Sequence, residues 1–191
     1  MKKFLAALLV ALCGFVSLFA DDVAEVKAVI VKQNELQLRN DFSGSLALLA
    51  EDYQEDDFTG TVFNYRQLKW LMTSMDGKHP KEFLLFCVSR EAKGEMPPED
   101  LQKKIMDNPV PPDLLEFYES TIRRAIAYNN SEAAAWRDTA RFVSVKVDGD
   151  DAVAVVEYDG KNPASGAAEH KKSTIFLRRV KGVWRMYKCV N

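Results

Sequence analysis

After about residue 140 the hydrophobic period of this chain changes from 3.6 to two, and that switch limits the fold more than any other feature. Phe142 to Val147 (FVSVKV) alternates, Ala152 to Tyr158 alternates again, and Asp148-Gly149 between them is a hairpin turn signal. Gly160 to Ala168 reads as a loop. Ser173 to Val180 (STIFLRRV) and Val183 to Val190 (VWRMYKCV) follow as two more strands, joined across Lys181-Gly182. Four successive strands form an antiparallel meander, and its apolar face needs a cover.

The first half of the chain supplies the cover. Val23, Val26, Ile30 and Val31 recur at helical spacing, which predicts a helix from Val23 to about Leu38. Asn40-Asp41 interrupts it, and Ser43 to Ala50 reads as a short second helix. Tyr53 to Asp57 and Thr61 to Phe63 read as two strands meeting around Thr59-Gly60, where glycine permits a tight turn. Asn64 caps the next helix with Gln67 as its reciprocal partner, and Leu68, Leu71, Met72 and Met75 form its buried stripe. Residues 77–138 are the least regular. Phe83 to Val88 fits helix or strand, Glu99 to Met106 a small helix between proline breaks, and Asp113 to about Tyr128 a longer one. Helices first and a meander last indicate an α+β domain, with N-terminal helices packed on one face of a curved antiparallel sheet.

The opening MKKFLAALLVALCGFVSLFA has two lysines, an apolar stretch and a small residue before Asp21-Asp22, the layout of a secretory signal peptide over 1–20. Export to a bacterial periplasm or the medium follows from that reading. An uncleaved anchor and a lipid-modified Cys13 are the alternatives. Removing residues 1–20 takes two of the 26 basic residues and none of the 28 acids, leaving a net charge of −4. So mild an acidity, spread along the chain, forms no nucleic-acid stripe. No second apolar run has membrane length, so the mature chain is not expected to span a bilayer. Cys87 and Cys189 are open to pairing or to remaining buried thiols.

The order of these segments resembles the nuclear transport factor 2-like superfamily. The resemblance rests on a short helix ending LLAED, a strand hairpin, a capped helix, VDGDDAVAVVEY and a final IFLRRVKGVW. Its SnoaL-like and domain-of-unknown-function-4440 proteins are the nearest subgroup. It covers residues 23–76 and 139–191, and 77–138 departs as a helical insertion. The resemblance implies a single domain over 21–191, a cystatin-like cone with a pocket between helices and sheet, and either ligand binding or isomerase/lyase chemistry. Counting from LLAED puts Asp57 where ketosteroid isomerase has its general base. The isomerase's oxyanion-hole positions fall on Gln33 and near Ser173 or Thr174, none of which is a strongly acidic donor.

The acidic run Glu51, Asp52, Glu55, Asp56 and Asp57 fails as a calcium loop, because Asp57 stands where glycine must turn and Phe63 where a bidentate glutamate belongs. Read as a strand, Tyr53, Glu55 and Asp57 share one face and Asp52, Gln54, Asp56 and Phe58 the other. A wet sheet edge and a working Asp57 both fit that split. Candidate ligand-binding residues are Tyr53, Tyr65, Tyr118, Arg141 and His170. No metal-ligand spacing, phosphate loop or nucleophile elbow occurs, so neither a metal nor a cofactor is expected. The partners expected are a small apolar or amphipathic ligand in the cone and a second copy of the chain, or another protein, on the sheet.

Overall fold

The computed structural model describes residues 21–56, 61–162 and 165–191. Helix α1 covers 21–38 and buries Val26, Ile30 and Asn34, a strict i, i+4 line. Val31, expected on that line, is 38% exposed, because the buried face is narrower than the run of apolar residues. Helix α2 (Phe42–Ala47) is capped by Asp41, whose side chain accepts from Gly44 N at 2.8 Å. It ends earlier than the sequence suggests, since Leu49 and Ala50 already belong to strand β1 (Leu49–Asp56). Strand β2 (Val62–Asn64) runs into α3 (Tyr65–Ser74). Both halves of the expected capping box form: Gln67 N donates to Asn64 Oδ1 at 3.1 Å and Asn64 N donates to Gln67 Oε1 at 2.8 Å.

Three helices fill the middle: α4 (Pro80–Glu91), α5 (Glu99–Asp107) and α6 (Pro112–Thr139). Phe83 to Val88 is therefore helical, burying Phe83, Leu85 and Phe86 from one side. The expected helix from Asp113 runs a further three turns, to Thr139. Its first half packs Tyr118 and Ile122 with Phe42, Met75 and Phe83 in a cluster of their own. Its second half lies over the sheet, where Trp136 joins the main core.

Strands β3 (Arg141–Asp148), β4 (Asp151–Lys161), β5 (Ala168–Val180) and β6 (Val183–Val190) form the expected meander. At the β5–β6 turn Lys181 and Gly182 both have positive φ, 52° and 81°, the two-residue turn that suits a right-twisted hairpin. The curved sheet has the order β2-β1-β6-β5-β4-β3. One of its pairings is parallel: β1 lies beside β6, with Leu49 opposite Met186 and Gln54 opposite Lys188. Hairpin turns force antiparallel neighbours, but these two strands are joined by most of the chain and are free of that constraint.

Irregular register in β1, β3 and β5–β6 bends the sheet. The concave face carries Leu49, Tyr53, Ala152, Ala154, Val156, Ile175, Leu177, Trp184 and Met186, packed under α1, Phe63, Leu68 and Phe86.

Candidate functional site

Between α1, the second half of α6 and the concave face lies a cavity of about 250 Å³. Ile30, Leu49, Ile175 and Met186 give it apolar walls, while Gln33, Asn34, Tyr53, Glu55, Tyr128, Glu132, Tyr158 and Ser173 bring polar atoms to it.

One end is closed by a buried ion pair. Lys171 Nζ donates to Glu132 Oε2 at 2.5 Å and to the Tyr128 hydroxyl at 3.2 Å, and its side chain is 1% exposed. Glu132 Oε1 also accepts from Lys161 N at 2.8 Å. Gly160 makes room for the carboxylate, since a Cβ there would stand 2.8 Å from Glu132 Oε2. Burial pulls the Lys171 amine down, but the hydrogen bonds to Glu132 and Tyr128 outweigh it and hold the ammonium above its ordinary value.

The β1–β6 end is closed by Asn191. Its amide oxygen accepts from Ser173 Oγ at 2.8 Å, and its amide nitrogen donates to Asp56 O at 3.1 Å. Tyr53 OH donates to Glu55 Oε2 at 3.2 Å inside the cavity. Burial first, then the Glu55 charge, raises the Tyr53 phenol, and burial with Glu132 raises that of Tyr158. Burial likewise raises the Cys189 thiol, which lines the same wall. Cys87 and Cys189 are both free thiols.

The sequence-derived candidates separate in space. Tyr53 lines the cavity, and so do Gln33 and Ser173, at the positions matched to the isomerase's oxyanion hole. Asp57 lies outside the described residues; Glu55, two positions earlier, reaches the cavity. Tyr118 sits in the helical cluster, where its hydroxyl donates to Ser74 O at 2.6 Å and accepts from His79 N at 3.2 Å. Tyr65 borders a different depression, with Arg178 and Arg185. Arg141 and His170 meet on the other face of the sheet. There Arg141 Nε and His170 Nε2 each lie 3.6 Å from Glu157 Oε2, and His170 Nδ1 lies 2.8 Å from Asp159 Oδ1.

Lys171 and Glu132 gave no sequence signal. The segment AEHKK breaks the apolar alternation because its inward residue is a lysine, so β5 begins five residues earlier than its apolar pattern indicates. Glu132 is 39 residues upstream on a helix whose pattern had faded by Tyr128.

No protein-family model matches the chain, and no curated protein does. Solved structures do. A nuclear transport factor 2-like protein with a cystatin-like fold from Novosphingobium aromaticivorans is 17% identical, with TM-score 0.46 over 96% of this chain and 88% of its own. A nuclear transport factor 2-like protein of unknown function from Shewanella oneidensis is 11% identical, with TM-score 0.44 over 87% of this chain and 95% of that one. A ketosteroid isomerase-like protein from Erwinia carotovora atroseptica is 14% identical, with TM-score 0.43 over 90% and 95%. The chain is similar to nuclear transport factor 2-like proteins. At such identities the likeness concerns the fold and carries no reaction with it.

Proposed function

We propose that this chain is an exported nuclear transport factor 2-like domain that holds a small, largely apolar molecule in the cone and performs no chemistry on it. The observation that carries this reading is Gln33 Oε1, a buried acceptor in the cavity wall without a hydrogen-bond partner among the described residues. An unsatisfied buried acceptor costs about 1–3 kcal/mol, which a ligand donor placed there would recover. The phenols, thiol and amine around it are not poised as general bases. The Tyr53 and Tyr158 phenols and the Cys189 thiol are all shifted toward their protonated forms, and Lys171 is held as an ammonium. The opposite face of the sheet is the surface for a second copy or another partner.

Native mass spectrometry of the purified mature chain tests the proposal. The expected result is an adduct in the native spectrum that is lost on denaturation and reduced by Gln33→Leu, with affinity falling roughly two- to tenfold. A wild-type spectrum without an adduct, in a protein that no apolar additive stabilises against heat, would sink it. The alternative reading makes Asp57 a general base; Gln33 and Ser173 stand on the cavity wall at the isomerase's oxyanion-hole positions, but neither is the strongly acidic donor that such chemistry uses. That reading requires that the wild type convert the isolated molecule while Asp57→Asn binds it unchanged.

A further inference from the structure

Beside the cone lies a second cavity of about 500 Å³, roofed by α4 and the first half of α6. Phe63, Leu68, Phe83 and Phe86 are buried around it, and Phe117 stands at its edge, 49% exposed. Glu55 and Tyr128 line both cavities, so the two spaces share a wall of two side chains. The polar inventories differ sharply. The cone holds the amide, phenol and carboxylate groups already described. The second cavity has a phenylalanine lining, the half-buried Cys87 thiol, Thr121 Oγ1 without a partner among the described residues, and the exposed Arg90 and Glu91.

Building on the cone as a ligand site, we propose that the two cavities are the compartments of one site for a neutral, hydroxyl-headed amphipath. The hydroxyl lies in the cone and the hydrocarbon chain passes Glu55 and Tyr128 into the phenylalanine-lined compartment. Charge selects the head. Among the described residues the carboxylates lining the two spaces are Glu55, Glu91 and Glu132, and the cations among or against them are Arg90 and Lys171, with Lys171 already held by Glu132. No cation is in excess among these groups, so an anionic head such as a fatty acid's would meet net negative charge in a low-dielectric space. A hydroxyl instead donates to Gln33 Oε1 and adds no charge to the space. Size selects the tail, because the larger and drier space is the second one.

The mature chain supplies its own reporters, since Cys87 lines the second compartment and Cys189 lines the cone. Calorimetry with 1-butanol, 1-decanol and decanoate is the first measurement. Affinity should rise roughly fourfold per methylene from butanol upward, the value of burying each CH2. Decanoate should bind roughly tenfold or more weakly than decanol. The second measurement is the alkylation rate of Cys87, resolved by peptide mapping, which decanol should slow several-fold and butanol leave unchanged. Ala125→Phe, which fills the second compartment from α6, should remove the chain-length dependence. It should keep wild-type butanol affinity, which also reports that the variant is folded.

Decanol binding no tighter than butanol, or a Cys87 rate unaffected by saturating decanol, overturns the second compartment and leaves the cone reading standing. Decanoate binding as tightly as decanol overturns the neutral head. Failure of both alcohols to bind takes the cone reading down as well.

Discussion

The two faces of the sheet handle charge in opposite ways. On the concave face the Lys171–Glu132 pair lies against aromatic rings, with the ammonium 5.7 Å and 5.9 Å from the Tyr128 and Tyr158 centroids, and Arg179, stacked on Trp184, pairs with Asp22 of α1. On the convex face charges are numerous and wet. Arg178 reaches Asp52 at 3.0 Å and lies 4.0 Å over the Tyr187 ring, while Lys188 sits over Phe176 and Glu157 faces Arg141 and His170. Adjacent residues of one strand, His170 and Lys171, fall on opposite sides of this divide. The Lys171–Glu132 pair should therefore matter more to stability than the whole outer set, because a buried charge that loses its partner has no water to replace it.

The strongest way to break that comparison is Lys171→Ala. It leaves Glu132 uncompensated and should cost about 3–5 kcal/mol in urea denaturation. The double variant Lys171→Met, Glu132→Leu should recover most of the loss; if it does not, lost packing and not lost pairing explains the single variant. Next in size is a pair of truncations on neighbouring residues. Leu177→Ala, fully buried on the concave face, should cost about 2–5 kcal/mol, and Phe176→Ala on the convex side clearly less. Equal costs would mean that the outer face is covered in solution.

Titration sharpens the same contrast. The folded-state values of Lys171, Tyr53 and Tyr158 are all raised, so the stability they contribute is complete below their unfolded values near 10 and is lost as the pH climbs through the folded ones. Unfolding free energy should fall on alkaline titration above about pH 10, and the fall should be shallower in Tyr158→Phe. The smallest effect is reserved for the outer charges. Arg178→Ala should change stability by about 1 kcal/mol or less, and a larger loss would show that its buried Nε, which lacks a partner among the described residues, is held by something else.

What could be read in the sequence follows from how local its causes are. The Asn64–Gln67 box spans four residues and both its hydrogen bonds appear. The Lys181-Gly182 turn needs only two residues with positive φ, and it too was legible. Less local features escaped. Simple alternation in VWRMYKCV would turn Lys188 inward, but the shift between Phe176 and Leu177 puts Cys189 on the cavity wall instead. The parallel β1–β6 contact depends on residues some 135 positions apart, beyond any pattern within a strand. The site was legible as a strand face: Tyr53 and Glu55 do reach the cavity together, as alternation placed them. Its partners on α6 were not, because a helix whose inward residues are Tyr128, Glu132 and Trp136 has no apolar stripe to announce it.

The length of α6 has one more consequence. At 28 residues and about 1.5 Å of rise each, it runs from the Tyr118 cluster to the rim of the cone as one continuous rod. A segment that reads in the sequence as an insertion thus carries one wall of the chamber. The chain cannot be pared back to its framework by excising 77–138. That cut would remove Tyr128, Glu132 and Trp136 and open the chamber to water along its whole side.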